Sequence, residues 1–444
     1  MNFVKGIRKT GYSEIDDIIR GNCSDEKVSV VGSIYNIRDM SDFAFVIIRK
    51  RDGLIQCVYN KETSGFDIND IPEESCVVAE GTISRDERAP NGFELHLTGI
   101  KVLSKPVEKM PVATNKRKMG LNLDTNLNLR PITLRNNTER SIFKIQEGIV
   151  RGFRDFLHGE GFTEIRSPKI VSSGAEGGAN IFTLDYFGRK AFLAQSPQFY
   201  KQTMVGVFER VFEIGPVYRA EKHNTSRHLN EYTSMDFEMG FIESFEDIMT
   251  MEAAMLRYTF NLLKTEYSKY FIIQGVEIPE IPENIPQVRF ADAKRMASEK
   301  YNKKIKNPYD LEPEEEVLIG KLFKEEYNSD FVFVTHYPTK KRPFYAMEDP
   351  EDPTYTLSFD LLYGGMEITT GGQRIHDYQM QVDKMISKGM HIEEFDSYLM
   401  IHKHGMPPHG GLGIGLERIV MKLLGQNNVR QATLFPRDLT RLEP

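Results

Sequence analysis

The residues with the clearest capacity for chemistry lie in three separated segments. In the segment VYRAE, Arg219 and Glu221 are two residues apart, so an extended strand would place both side chains on one face. A turn that contains Arg227 and His228 follows. The planar fork of arginine suits phosphate or carboxylate, and a glutamate can accept a hydrogen bond from a base amino group. The pattern indicates a ligand site, and a surface ion pair on a hairpin is the alternative.

The second segment is rich in glycine and leads into a helix. The sequence GLGIGLER occupies 411–418, and a helical IVMKLL follows it. Alternating glycines let a backbone approach a flat ligand closely, and Arg418 at a helix start suits phosphate. The spacing is not G-x-G-x-x-G, and no βαβ context surrounds it. A dinucleotide-binding fold is therefore disfavoured, and a P-loop is absent from the sequence.

The third segment, GFTEIRSP at 161–168, follows a helical repeat. Apolar residues recur every three or four positions at Ile142, Ile145, Ile149, Phe153 and Phe156, and the glycines after them end the repeat. By itself this pattern predicts only a helix followed by a strand.

The first hundred residues contain five segments rich in β-branched and aromatic residues, separated by turn signals. They are 28–37, 43–50, 54–60, 75–84 and 93–103. This strand count matches the OB fold, with a generic barrel or half-sandwich as the alternative. The later chain mixes strands and helices without βαβ regularity, which indicates an α+β domain on an antiparallel sheet. We predict a barrel domain at 1–104, a linker at 105–137, an α+β domain at 138–444, and an insertion with little chemistry after Tyr270.

Composition narrows the class of protein. The chain has 444 residues, 40% hydrophobic and 27% charged, which excludes a mostly disordered protein. Its net charge is −7, so any nucleic-acid site must be a local patch on an acidic body. Its three cysteines form no C-x-x-C pair, which disfavours a zinc or disulfide framework. With no signal peptide or membrane-spanning run apparent, we expect a cytoplasmic protein.

Taken in their order along the chain, at 161–168, 217–221 and 411–418, the three segments resemble the signature motifs of class II aminoacyl-tRNA synthetases. GFTEIRSP resembles the dimer-interface motif. The Arg219 segment resembles the motif that places ATP and the amino-acid carboxylate, and GLGIGLER resembles the glycine-rich ATP motif. Five further segments resemble the aspartyl branch: AEGG at 175–178, AQSPQFYKQ at 194–202, EITTGGQR at 367–374, GMPPHG at 405–410 and LFPRD at 434–438. With the barrel, the similarity covers nearly the whole chain and looks most like the archaeal type.

This resemblance implies a ligase that activates L-aspartate with ATP, with Mg²⁺ on the phosphates, and transfers it to tRNA(Asp). It assigns aspartate binding to Glu176, Gln198, Lys201, Arg219, Thr370 and Arg374. It assigns ATP binding to Arg219, Glu221, Arg227, His228, Leu229, Glu367, Gly415, Leu416, Glu417 and Arg418, with Arg219 and Arg418 catalytic. Glu367 and Thr370 would hold Mg²⁺. The family is expected to have serine at position 370, and threonine retains the hydroxyl.

By the same resemblance, four barrel residues would contact the anticodon: Tyr35, Phe45, Gln56 and Pro90. In the archaeal-type family, a lysine at the position of Pro90 accompanies strict choice of tRNA(Asp), and a proline accompanies charging of tRNA(Asn) as well. At the position of Tyr35 the family has tryptophan in the strict form and histidine in the relaxed form, so tyrosine is ambiguous. The resemblance favours an enzyme that serves both tRNAs. The alternative is that Pro90 only rigidifies a turn.

Three alternatives stay open from the sequence. An asparaginyl-tRNA synthetase shares the fold, but the QSPQxxK segment argues against it. An asparagine synthetase on the same catalytic core typically lacks the barrel. A paralogue without tRNA charging is opposed by the intact Arg219, Glu221, Glu367 and Arg418. Finally, the apolar stripe of the helix before Pro168 and the motif after it predict a symmetric homodimer.

Overall fold

The structure is a computed structural model that describes residues 11–21, 27–51, 53–174, 180–222, 225–304 and 306–443. The chain divides into two compact units. The first extends to Asn122 and includes Pro131–Asn137, and the second contains Leu123–Arg130 and continues from Thr138. No described helix is long and apolar enough to cross a membrane.

The first unit is built on a closed barrel, which confirms the predicted OB fold. Its strands are β1 (Lys27–Asp39), β2 (Phe43–Arg49), β3 (Leu54–Asn60), β4 (Cys76–Arg85) and β5 (Phe93–Ser104). They pair in the order β1-β2-β3-β5-β4, and β1 also pairs with β4 to close the barrel. Because side chains alternate along each strand, the β-branched residues Val30, Ile34, Val46 and Ile48 point inward and are buried.

The second unit is built on an antiparallel sheet, as predicted. Its strands are β6 (Thr163–Glu164), β7 (Ile170–Val171), β8 (Thr183–Tyr186), β9 (Arg189–Leu193), β10 (Arg210–Tyr218), β11 (Glu231–Gly240), β12 (Gln287–Arg289), β13 (Phe331–Thr335), β14 (Ser358–Tyr363), β15 (Met366–Arg374) and β16 (His409–Gly415). Eight of them pair in the order β12-β13-β14-β15-β16-β11-β10-β6, and β7-β9-β8 form a small separate sheet. Only the outermost pairs of the large sheet, β12 with β13 and β10 with β6, are parallel.

The described helices occur in both units. They are α1 (Ile15–Arg20), α2 (Leu123–Asn128), α3 (Arg130–Thr133), α4 (Asn137–Gly159), α5 (Gln198–Phe208), α6 (Glu246–Glu266), α7 (Ser268–Gln274), α8 (Phe290–Tyr301), α9 (Pro313–Tyr327), α10 (Tyr378–Ser387), α11 (Asp396–Lys403) and α12 (Leu416–Leu423). Helix α1 belongs to the barrel unit, where its buried isoleucines join the barrel core. Helices α2 and α3 occur within the segment 105–137, where the sequence predicted only a linker.

The predicted apolar stripe lies on α4 and belongs to the core of its own chain. Ile145, Ile149 and Phe153 are fully buried there. Helix α6 packs so closely that a Cβ at Gly152 would lie 2.7 Å from the Thr259 hydroxyl. The predicted helix is therefore confirmed, but the stripe is not a surface for a second chain. That part of the argument for a dimer was wrong.

The segment predicted as an insertion extends the large sheet. Helices α8 and α9 pack on β12 and β13 and form a small core that includes Phe290, Ile319 and Phe323. A capping box between Glu312 and Glu315 begins α9. This arrangement holds one turn of α9 beside the functional site described next, a contribution that the sequence did not reveal.

Candidate active site

A cavity of about 420 Å³ opens over β11, β15 and β16. Most residues that the sequence predicted as ligands line it: Gln198, Lys201, Arg219, Glu221, Arg227, His228, Leu229, Glu367, Thr370, Arg374, Gly415, Glu417 and Arg418. Leu416 does not line the cavity, because its side chain packs in the hydrophobic core. Glu176 lies outside the described residues.

Lys201 is a buried cation at one end of this cavity. It lies one turn after Gln198 on α5, so both side chains share a helix face. Its ammonium donates to Asp236 Oδ1 at 2.9 Å and to the Leu412 carbonyl at 2.9 Å, and it lies 3.3 Å from Glu238 Oε2. A buried ammonium needs such partners, since an unpaired charge in the interior is strongly unfavourable.

Arg374 is the second buried cation at this end. Its Nε donates to Glu238 Oε1 at 2.8 Å, and a terminal nitrogen donates to the Gly411 carbonyl at 2.9 Å. Burial by itself would raise the pKa of Glu238, but the positive charges of Arg374 and Lys201 hold that pKa below its ordinary value. Glu238 is therefore ionised, and the two cations share two buried carboxylates.

The acidic partners Asp236 and Glu238 carry roles that the sequence prediction missed. They alternate on β11, whose opposite face sends Phe237 into the core. The glycines of β16 make room for them: a Cβ at Gly411 would lie 2.3 Å from Glu238 Oε2, and one at Gly413 would lie 3.0 Å from Asp236 Oδ1. These two glycines accommodate protein carboxylates, a role that the predicted close approach to a flat ligand did not include. The signal was the alternation of acidic residues along β11.

The unpartnered amide of Gln198 also faces this end of the cavity. Its Nε2 is buried and has no hydrogen-bond partner among the described residues. Buried amide groups in proteins are nearly always hydrogen-bonded, so this group has capacity for a ligand.

Arg219 and Glu221 follow β10 and also line the cavity. Asn230 closes the connection to β11 by donating to the carbonyls of Arg219 at 2.7 Å and Glu221 at 3.1 Å. The Arg219 guanidinium is 5.8 Å from the centre of the Tyr232 ring and 3.9 Å from Glu221. These contacts orient the arginine and leave it lining the cavity.

A bulge in β15 brings Glu367 and Thr370 together. The residues are three apart, so a regular strand would place them on opposite faces. Between Leu361 and Leu362 the register shifts, which leaves Ile368 as an extra residue on β15. As a result the Thr370 hydroxyl donates to Glu367 Oε1 at 3.2 Å.

Arginines surround Glu367. Arg418 donates to its carboxylate and to its carbonyl, each at 3.2 Å. Burial would raise the pKa of Glu367, but the charges of Arg418, Arg342 and Arg219 hold it below its ordinary value. Glu417 behaves differently: burial raises its pKa to about 7, and it accepts the Thr233 backbone N–H at 3.1 Å. Its contact with that N–H supports β11.

The predicted anticodon residues belong to the barrel unit and are not equally accessible. Phe45 and Gln56 are half-buried on the outer face of neighbouring strands, and Pro90 is exposed in the β4–β5 turn. Tyr35 is buried, and its hydroxyl donates to the Thr114 carbonyl at 2.8 Å. With only 6% of the residue exposed, Tyr35 offers a base little surface, which argues against a direct contact.

Comparisons with known proteins agree with this architecture. The family of class II tRNA synthetases (D, K and N) matches residues 122–439, and the OB-fold nucleic acid binding domain matches 28–103. The aspartate–tRNA(Asp/Asn) ligase of Deinococcus radiodurans is 46% identical over 94% of this chain and 96% of its own. The aspartate–tRNA(Asp) ligase of Pyrococcus abyssi is 39% identical over 98% of this chain and 100% of its own.

A solved structure extends the comparison. Asparaginyl-tRNA synthetase from Pyrococcus horikoshii, complexed with asparaginyl-adenylate, superposes with a TM-score of 0.90 and 28% identity, covering 98% of this chain and 100% of that one. Three agreements therefore coincide: the family match over the second unit, the OB-fold match over the first, and high identity along nearly the full length. The chain belongs to the class II tRNA synthetase family of the D, K and N type.

Proposed function

We propose that this protein is an aspartate–tRNA ligase, which joins L-aspartate to tRNA in an ATP-dependent reaction. One observation carries the proposal: a single cavity has the buried cations Lys201 and Arg374 at one end and Arg219, Arg227 and Arg418 elsewhere on its wall. The first pair suits a side-chain carboxylate, and the three arginines suit a triphosphate. Relatives that are 38–46% identical over most of their length are aspartate–tRNA ligases.

At the amino-acid end, Lys201 and Arg374 would bind the side-chain carboxylate of aspartate, with Thr370 nearby. Glu176 and the amide oxygen of Gln198 would bind its ammonium group, and the unpartnered Nε2 of Gln198 could donate to a carboxylate oxygen. The oxygens of Asp236 and Glu238 already accept from the two cations, and Asp236 also accepts from a neighbouring serine hydroxyl. Because these carboxylate oxygens are already occupied, the N–H groups of an asparagine amide would face the donor groups of Lys201 and Arg374. This arrangement favours aspartate.

At the nucleotide end, Arg219 would bridge the α-phosphate and the α-carboxylate. The residues that would frame the adenine and the outer phosphates are Glu221, Arg227, His228, Leu229, Gly415 and Arg418. The α-carboxylate attacks the α-phosphorus, and the bond to the bridging oxygen of the β-phosphate breaks to release pyrophosphate. The terminal ribose hydroxyl of tRNA then attacks the aspartyl carbonyl, and AMP leaves. The protein contributes positioning and charge stabilisation, and we assign no protein general base.

Glu367 and Thr370 fit a Mg²⁺ ion on the phosphates. Magnesium prefers oxygen ligands and is usually held by one or two carboxylates together with substrate phosphates. The ionised carboxylate of Glu367 and the Thr370 hydroxyl supply adjacent oxygens on the cavity wall. When bound, the ion would neutralise charge that develops on pyrophosphate.

The decisive experiment is exchange of labelled pyrophosphate into ATP with aspartate or asparagine as the amino acid. We expect exchange with aspartate and at most a trace with asparagine. Preference for asparagine would instead identify an asparaginyl-tRNA synthetase, and exchange with neither would identify a paralogue without activation.

We further propose a cytoplasmic location, which fits a tRNA substrate.

We propose that the enzyme also aspartylates tRNA(Asn), as the names of several relatives describe for those proteins. Pro90 is exposed in its turn and has no side-chain donor. We expect Pro90→Lys to lower kcat/KM for tRNA(Asn) relative to tRNA(Asp) roughly tenfold, the size of one hydrogen-bond difference. Aspartylation of both transcripts measures this ratio.

Ser84→Lys, at an exposed position near the end of β4, is the matched control because it adds the same charge outside the turn. An equal shift in both variants would trace the effect to charge alone. A wild-type enzyme that ignores tRNA(Asn) would contradict the proposal itself.

We propose a homodimer, on grounds other than the buried stripe of α4. Strand β6 is the last described strand at one edge of the large sheet. Strand β10 pairs with β6, and β11 pairs with β10. Three exposed hydrophobic residues lie where β10 begins and β11 ends: Val207, Phe208 and Phe241. An exposed apolar patch beside a sheet edge is typical of an interface.

Light scattering at micromolar concentration should give twice the monomer mass, and Phe208→Glu should lower it. Ile272→Glu is the control, because Ile272 is also exposed but lies on α7. A monomeric wild type would refute the dimer, and equal dissociation of both variants would show that the patch is not the interface.

A further inference from the structure

Glu316 is a buried carboxylate that reaches the edge of the active site from α9. Its residue exposure is only 6%, and it belongs to the region in which the sequence indicated little chemistry. It does not line the cavity itself; its contacts are with two residues that do, Arg227 and Glu367.

One oxygen of Glu316 joins two separate elements of the site. Oε2 forms an ion pair with the Arg227 guanidinium and accepts the Glu367 backbone N–H at 2.9 Å. Arg227 is in the connection between β10 and β11, 89 residues from Glu316 along the chain, whereas Glu367 begins the functional stretch of β15. The carboxylate therefore connects a cavity arginine to the strand that carries the proposed metal ligands.

The packing of α9 makes this connection rigid. A Cβ at Gly320 would lie 2.4 Å from the Gly365 Cα, and one at Gly365 would lie 2.8 Å from the Val317 Cα. The two backbones touch, so α9 cannot shift relative to the β14–β15 turn without a clash. The neighbouring Glu315 pairs with buried Lys294 at 2.7 Å and anchors the same turn.

Arg227 needs such support because like charges surround its position. Burial and the charge of Arg227 lower the pKa of Lys422, which donates to the Gly364 carbonyl at 2.8 Å. Arg418 and Arg227 both lower the pKa of Glu367, to which Arg418 donates. Repulsion from these cations, together with the many rotamers of arginine, would otherwise favour a guanidinium turned toward solvent.

We propose that Glu316 is a positioning residue that holds Arg227 for the outer phosphates of ATP. The inference rests on the proposed function, since it takes Arg227 as a phosphate ligand. It goes further by assigning a role in nucleotide binding to α9. Glu316 touches no substrate: it acts through Arg227, and its effect is confined to the step in which the β- and γ-phosphates are present.

That confinement defines the experiment. We expect Glu316→Ala to raise the KM for ATP in pyrophosphate exchange roughly tenfold, because Arg227 loses a charge-assisted contact. The KM for aspartate should change much less. The Ki of a non-hydrolysable aspartyl-adenylate analogue should stay unchanged, because this molecule lacks the outer phosphates. Glu316→Gln, which keeps an acceptor but loses the charge, should fall between wild type and Glu316→Ala.

Glu315→Gln is the matched control. It removes the partner of a buried cation on the same turn and should lower thermal stability without changing the KM for ATP selectively. A double-mutant cycle with Arg227→Ala adds a second test: in that background Glu316→Ala should have no further effect on the KM for ATP.

Two outcomes would overturn the inference. An unchanged KM for ATP in both Glu316 variants would show that Arg227 needs no such support. A parallel loss of analogue affinity, or additive effects in the cycle, would show that Glu316 maintains the whole site. Failure of the proposed function itself is separately visible, because the wild type would then show no aspartate-dependent exchange.

Discussion

Replacing Arg219 or Arg418 by alanine is expected to reduce aspartate-dependent ATP–pyrophosphate exchange roughly 10²- to 10³-fold, the usual effect of removing one preorganised donor from a site of charge development. Both arginines line the cavity. Arg219 is braced by the Tyr232 ring and by the closed connection after β10. Arg418 also contacts Glu367, so its loss disturbs a proposed metal ligand. The rate constant kcat should fall more than the KM for ATP rises.

Two comparisons make this result specific. Arg210→Ala removes an arginine from the opposite end of β10, where the side chain donates to the Glu160 carbonyl, and it should leave exchange nearly unchanged. Arg219→Lys keeps a charge but loses the planar fork, so it should recover only part of the activity. Near-normal exchange in either alanine variant would remove that arginine from the mechanism.

Lys201→Met is expected to raise the KM for aspartate by roughly two orders of magnitude, with a much smaller change in the KM for ATP, because a buried anion loses its nearest cation. The structure adds a second expectation. Asp236 and Glu238 would remain buried with only Arg374 to balance them, so the melting temperature should fall as well. Steady-state exchange kinetics and a thermal melt measure the two effects.

A second substitution separates them. Lys201→Met combined with Asp236→Asn also removes the negative charge of Asp236, which the single variant leaves without the Lys201 ammonium. The double variant should therefore recover part of the lost stability. It should not restore aspartate affinity, because no cation returns to the position of the ammonium. If the double variant regained both, the role of Lys201 would be structural. Equal weakening of aspartate and ATP binding would also contradict a side-chain role.

The sequence alone determined the strands of the barrel and the long helix α4. The five predicted strand segments agree with β1 to β5 to within about two residues, because each is rich in β-branched and aromatic residues and lies between clear turn signals. The helix of α4 was equally clear from its period. Most of the ligand residues that the motifs predicted, through their resemblance to a known family, line the cavity.

Other features depended on contacts between distant parts of the chain. The sequence predicted the apolar stripe of α4, but it did not show whether the stripe packs against α6 or against a second protein. Both kinds of partner surface would be apolar. The sequence predicted that another group approaches the backbone closely at Gly411. It did not predict that the Glu238 side chain occupies the space where a Cβ would lie. The bulge that aligns Glu367 with Thr370 leaves no local signal, since it arises from the register of β14 against β15.

Burial and pairing were likewise decided only by the tertiary structure. Tyr35 matched an anticodon position by resemblance, yet its hydroxyl is bonded to a carbonyl 79 residues away. Glu316 had no motif around it, yet it bridges Arg227 and β15. Local residue patterns specify which face of an element is apolar, because that property repeats along the chain. They do not specify the partner of a charged group, because that partner is selected by packing across the whole domain.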